Sequence, residues 1–258
     1  MDFCFLGNDR LLTISQHMKL YSIEDMSRAP QLLACFLLPV SVGGVQCLLP
    51  MDDISPTSQL LAQPEVWTSD PENRLLSLIM TPQNLVFIIS TRIFFDLGLF
   101  RKRLAGVSID WWEWGPSNTR VFQHDWRHRI GVSGNRVLRS FPVLDGAIPE
   151  DVMAEDSIRN SKYRLHMMDF SPSAVERRQG LGRVVTEPSS IKIIEEDSDD
   201  ISTLTTFLPY VEVVSDRTFG RPELVEIWVD KDRIYLPKDT LAQPDIVGSP
   251  MFPGSSIH

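Results

Sequence analysis

The chain has 258 residues, 43% hydrophobic and 23% charged, with 25 Lys and Arg against 34 Asp and Glu and a formal net charge of −9. These proportions exclude a collagenous, coiled-coil or wholly disordered chain, and three cysteines (Cys4, Cys35, Cys47) are too few for a disulfide scaffold. The negative balance disfavours nucleic acid as a partner, because affinity for phosphates comes from Lys and Arg displacing counterions.

Short apolar runs separated by turn residues predict strands through most of the chain. DFCFL and RLLTIS meet at Gly7-Asn8-Asp9, residues that tolerate the positive φ of a hairpin turn. MKLYSI and LLACFLL follow, so four strands occupy about 38 residues, the length of one propeller blade. The stretch from Ala29 to Met51 carries no charge. Pro39, Gly43-Gly44, Gln46 and Pro50 interrupt it, whereas a membrane span needs about 20 residues of continuous helix. Two buried strands are the expectation, and no membrane partner is implied.

Residues 52–71, holding Pro56, Pro64 and Pro71, read as a polar loop. RLLSLIM, the turn Thr81-Pro82-Gln83-Asn84, LVFIIS and RIFFDL then repeat the strand scheme. RLLTISQHMKLY aligns with LVFIISTRIFFD, Ser15 over Ser90, as an internal repeat. HRIGVSGNRVLRSFP is a further hairpin turning at Ser133-Gly134-Asn135, and YRLHMMDF, IKII, LPYVEVV, ELVEIWVD and RIYLPK read as strands. Residues 145–162 and 180–190 read as loops. No convincing amphipathic helix is present, the best candidate being a short one near Ser173 to Gly180. The tail after Lys238, residues 239–258, is rich in Pro, Gly and Ser and is expected to be disordered. MDFCFLGNDR lacks the basic and apolar regions of a signal peptide, and no N-x-S/T sequon occurs. The expectation is cytoplasm or nucleus rather than secretion.

Two constellations carry possible chemistry. His124-Asp125-Trp126-Arg127-His128 spaces two histidines as H-E-x-x-H does, where a helix places both on one zinc ion and Glu activates water. Here the flanks TRVFQ and HRIGVSGNRV favour strands, and no third ligand follows. A metal-dependent hydrolase centred on His124 and His128 is therefore the alternative, not the leading, reading. No phosphate-cradling glycine motif occurs, and Gly131-Val132-Ser133-Gly134 misses the nucleophile elbow by one residue. No cofactor or small-molecule substrate is indicated.

The second constellation is Trp111-Trp112-x-Trp114, followed by Trp126 among arginines, within a stretch from Arg92 to Arg139 holding nine basic residues against four acidic. Trp and Arg dominate interface hot spots, so Trp112, Trp114, Arg120, Trp126, Arg127 and Arg129 form the candidate recognition surface. The competing reading is internal packing in which Arg stems cover indole faces.

WWEWGPSNTRVF, RIGVSGNRVL, YRLHMMDFSPSAV and the ending LPYVEVVSDRTF…ELVEIWVDKDRIYLPK together resemble the C-terminal portion of basidiomycete F-box-type proteins, in which a propeller-like β region follows an N-terminal F-box. The likeness spans roughly Asp2 to Lys238. Its most specific parts are W-x-W-G-P-x-N-T-R and D-x-D-R-I-Y-L. The opening residues read as a strand, so no F-box is expected among them, and no Trp-Asp dipeptide marks a standard tryptophan–aspartate repeat. The resemblance implies a substrate-recognition region and carries no catalytic residues.

The expected fold is all-β and β-propeller-like, with four to five irregular blades over residues 1–238 and a ring that need not close. The expected function is a non-enzymatic protein-interaction module with a protein partner. A truncated copy without independent activity is the remaining reading.

Overall fold

Apolar runs and Gly- or Asn-containing turns build most of the described residues into strands. The structure, a computed structural model, describes residues 1–48, 71–96, 106–124, 129–143, 162–177, 182–194, 201–220, 227–229, 234–236 and 245–246. The fold is all-β, with several antiparallel sheets and two short helices. The chain divides into two compact units, Met1–Asp125 with Thr186–Pro209, and Trp126–Val185 with Tyr210–His258.

The first unit opens with the expected meander of β1 (Asp2–Leu6), β2 (Arg10–Ile14), β3 (His17–Ser22) and β4 (Gln31–Leu37). Its first turn uses Gly7 at φ 74°, where a side chain would be strained. A short strand, β8 (Val107–Ile109), then adds parallel to β4. The second sheet orders β5 (Gly44–Leu48), β6 (Leu75–Thr81), β7 (Leu85–Ser90) and β9 (Thr119–Gln123), all antiparallel. The uncharged stretch after Ala29 is thus split between two sheets as β4 and β5. Among the described residues no helix is long and apolar enough to cross a membrane.

Between these sheets lies the main core. Cys4, Leu6, Leu12, Ile14, Met18, Leu20 and Phe36 come from the first sheet, and Leu76, Leu78, Met80, Phe87, Ile89 and Val121 from the second. The alternation within each strand dictates this, since every second residue turns to the same face. Helix α1 (Trp111–Asn118) contributes Trp111 and Trp114 to that core, and the hairpin β14 (Ser189–Ile194) and β15 (Ile201–Thr206) contributes Ile193 and Leu204.

The second unit centres on a five-stranded antiparallel sheet in the order β10-β11-β12-β16-β13. These are Ile130–Ser133, Arg136–Pro142, Lys162–Asp169, Tyr210–Gly220 and Arg183–Val185. The expected β10–β11 hairpin turns at Gly134, φ 52°. Helix α2 (Pro172–Arg177) falls near the expected short helix. A three-stranded sheet joins β17 (Trp228–Val229), β18 (Ile234–Leu236) and β19 (Asp245–Ile246). Leu138, Tyr163, Leu165, Met167, Phe219 and Ile227 form a core cluster in this unit.

Several expectations change. RIFFDL is not a strand. Thr91–Phe95 is a 3-10 turn, because the Thr91 hydroxyl meets Pro71 O at 2.7 Å and the Arg74 backbone at 3.0 Å. That side chain competes with ladder pairing, and Ile93 and Phe94 both turn inward. The internal repeat therefore ends at Ser90, since its counterpart MKLY is a strand. Residues 183–185 and 189–190, read as loop, are strand, and 245–246 pair with β18 inside the expected disordered tail. The loops expected over 52–71 and 145–162 lie almost wholly outside the described residues.

Candidate functional site

The tryptophan motif is helical, which sorts its side chains differently from a strand. In a strand Trp112 and Trp114 would share a face; in a helix Trp111 and Trp114, three apart, share one and Trp112 points away. Trp111 and Trp114 meet edge to face at 4.9 Å, Trp114 contacts Phe36 at 5.5 Å, and Phe87 contacts Trp111 at 6.0 Å. The Trp114 indole N–H donates to Leu37 O at 3.0 Å, and Asn118 Nδ2 donates to Trp114 O at 2.8 Å. A Cβ on Gly115 would lie 2.2 Å from the Trp111 ring, so only glycine allows this helix so close to the indole.

Trp114 is completely buried, whereas Trp112 is 74% exposed. Pro116 lies one turn along on the same helical face, and its carbonyl accepts the Phe207 N–H at 2.8 Å. Phe207 is itself 45% exposed. Trp112 thus stands on a packed base, one helical turn from Pro116 and flanked by exposed Asp110 and Glu113.

Arg120, expected at the surface, is 1% exposed. Its guanidinium donates to Leu208 O at 2.9 Å, to Glu187 O at 2.8 Å and to Thr206 O at 3.4 Å. Burial of this charge is compensated by carbonyls at both ends of the β14–β15 hairpin, so Arg120 and Trp114 belong to the interior and not to a recognition surface. Arg129 is exposed and lies in the second unit, its backbone N–H bonded to Ser140 Oγ at 2.8 Å. Trp126, Arg127 and His128 lie outside the described residues. His124 is half-buried, with its backbone N–H on Asn84 O at 2.7 Å. Among the described residues no group of three His, Cys, Asp or Glu is placed to hold a metal.

Sequence reasoning missed a polar cluster on one face of the second unit's main sheet. Arg139 and His166 are cross-strand partners, and Glu212 and Arg183 pair on the neighbouring strands. His166 Nδ1 stands 3.5 Å from Glu212 Oε1, whose other oxygen meets Arg183 at 3.1 Å. His166 rests on the Phe141 ring at 4.3 Å, and the Arg139 guanidinium lies 4.8 Å from the same ring. Burial lowers the His166 pKa, Glu212 opposes that, and Arg139 and Arg164 add to the lowering. Burial also pulls Arg139 down to about 10, countered by Tyr210. Polar Lys162, Arg164 and His166, at every second position of β12, were the available signal. His166 and Glu212 are an acid–base pair in form, but both are held by neighbours as a structural ion-pair network is.

Comparison with protein-family models, curated proteins and solved structures found no match.

Proposed function

We propose that this chain is a non-enzymatic protein-recognition module whose anchor is Trp112. The observation that carries the reading is the exposure of a large aromatic on a helix fixed from below by Trp111, Trp114 and Gly115. A rigid aromatic loses little conformational freedom on binding, which is why Trp is enriched among hot spots. Pro116, one turn along the same helical face, extends the apolar contact. Exposed Asp110 and Glu113 favour a partner segment carrying Lys or Arg and disfavour phosphate backbones. Four-stranded meanders such as β1–β4 support a blade-like, propeller-related scaffold, in keeping with the resemblance to the recognition region of F-box-type proteins. The partner is expected in the cytoplasm or nucleus.

The test is quantitative capture of partners by the wild-type chain and by Trp112→Ala at low and high salt. Substituting a side chain that is mostly in water leaves the melting temperature within about 2 °C. Proteins bound by the wild type, weakened by salt and lost from the variant, identify the surface. Equal capture by both chains removes Trp112 from the site.

A further inference from the structure

The first unit places two cysteines on adjacent edge strands where its two main sheets meet. Cys4 lies on β1, the edge strand of the first sheet, and alternates inward between exposed Phe3 and Phe5. Cys47 lies on β5, the edge strand of the second, half-buried against the same core. β1 and β5 run beside each other. The Asp2 carboxylate fixes their alignment by accepting the Cys47 backbone N–H at 2.8 Å, two residues along the strand from Cys4. Cys35, the third cysteine, is on β4 and is separated from Cys4 by β2 and β3 in the sheet order.

We infer that Cys4 and Cys47 are a modification site, closed by peroxide into a disulfide that staples the first strand to the second sheet. Cys47, the more accessible of the two, attacks one peroxide oxygen as its thiolate. The O–O bond breaks, one water leaves and a sulfenic acid remains. The Cys4 thiol then attacks that sulfur, the S–O bond breaks and a second water departs with the Cys4 proton. The two thiols lose two electrons and the peroxide gains them. The neighbouring Cys4, burial and the nearby Asp2 charge all raise the Cys47 pKa, so little thiolate is present and the reaction is slow.

The experiment treats the folded full chain with hydrogen peroxide, then alkylates under denaturing conditions and maps the peptides by mass. The expected result is a linked pair of peptides containing Cys4 and Cys47, about 2 Da lighter than the two thiol peptides combined, reversible by dithiothreitol, with Cys35 alkylated. Cys35→Ser retains the linked peptide, and Cys47→Ser loses it. The wild-type map decides the matter even if a variant folds poorly. A link through Cys35, or stepwise oxidation of Cys4 and Cys47 to sulfinic acids without any link, overturns the inference.

Discussion

Arg120 is the residue whose replacement tests most directly how the first unit is held together. Arg120→Met keeps a long apolar stem in the same space and deletes the guanidinium. Two short bonds to charged nitrogen are lost, at Leu208 O and Glu187 O, with a longer one to Thr206 O. Hydrogen bonds involving a charged group contribute about 1.5–3 kcal/mol each, and the stranded carbonyls add a desolvation cost. Removing the buried charge returns part of that, so the net loss is about 3–4 kcal/mol. Arg120→Lys keeps the charge but presents no planar fork, and is expected to lose about half as much. Urea unfolding followed by hydrogen exchange distinguishes this from general weakening. The Val121 amide, bonded to Thr206 Oγ1, and the Leu208 amide, bonded to Thr119 O, should exchange fastest relative to wild type. A loss below about 1 kcal/mol, or exchange unchanged at those two amides, refutes the reasoning.

Gly115→Ala drives a methyl into the Trp111 ring and should destabilise by about 1–3 kcal/mol, read as a lowered melting temperature, while Ser117→Ala on the exposed side of the helix should not. The His166 pKa is lowered from 6.5 on folding, so the unfolded chain binds the proton more readily. This contribution to stability is complete above the unfolded pKa and is lost as pH falls through the folded one. The urea midpoint should fall between pH 7.5 and pH 5, and fall less in His166→Gln; an identical pH profile in the variant would place the dependence elsewhere. Arg183→Ala removes an exposed partner of Glu212 and should cost at most about 1 kcal/mol, measured as a small shift in the same midpoint.

Much of the strand content was legible because alternation and turn chemistry agree. In β1, β6, β7, β10 and β11, short apolar runs meet Gly, Asn or Pro at the turns. The tryptophan helix was hidden because Gly115 and Pro116 are poor helix formers, and only the fit of Gly115 under an indole explains them. Thr91 shows the opposite case, where a side chain bonding to a distant backbone overrides a β-branched, aromatic segment. The short strands β8 and β13 carry three residues each, too few to show a period. Trp112 was legible as a chemical type but not as the exposed member of its group, since exposure followed from a helical period. Arg120 read as surface because a charge normally is, and no local pattern announces three carbonyls arriving from residues far along the chain.

The first unit has a consequence for how the protein is made. Residues 126–185 intervene between β9 and the hairpin that meets it, and Thr206 follows Arg120 by 86 positions. At about 5–20 residues per second, a ribosome leaves β9 without that hairpin for about 4–17 seconds. During this interval the outer side of β9 is an open sheet edge, the kind of surface on which nascent chains join one another. A charge at that edge discourages such joining. Once the hairpin has emerged, the carbonyls of Thr206 and of its flanking residues Glu187 and Leu208 take up the Arg120 guanidinium.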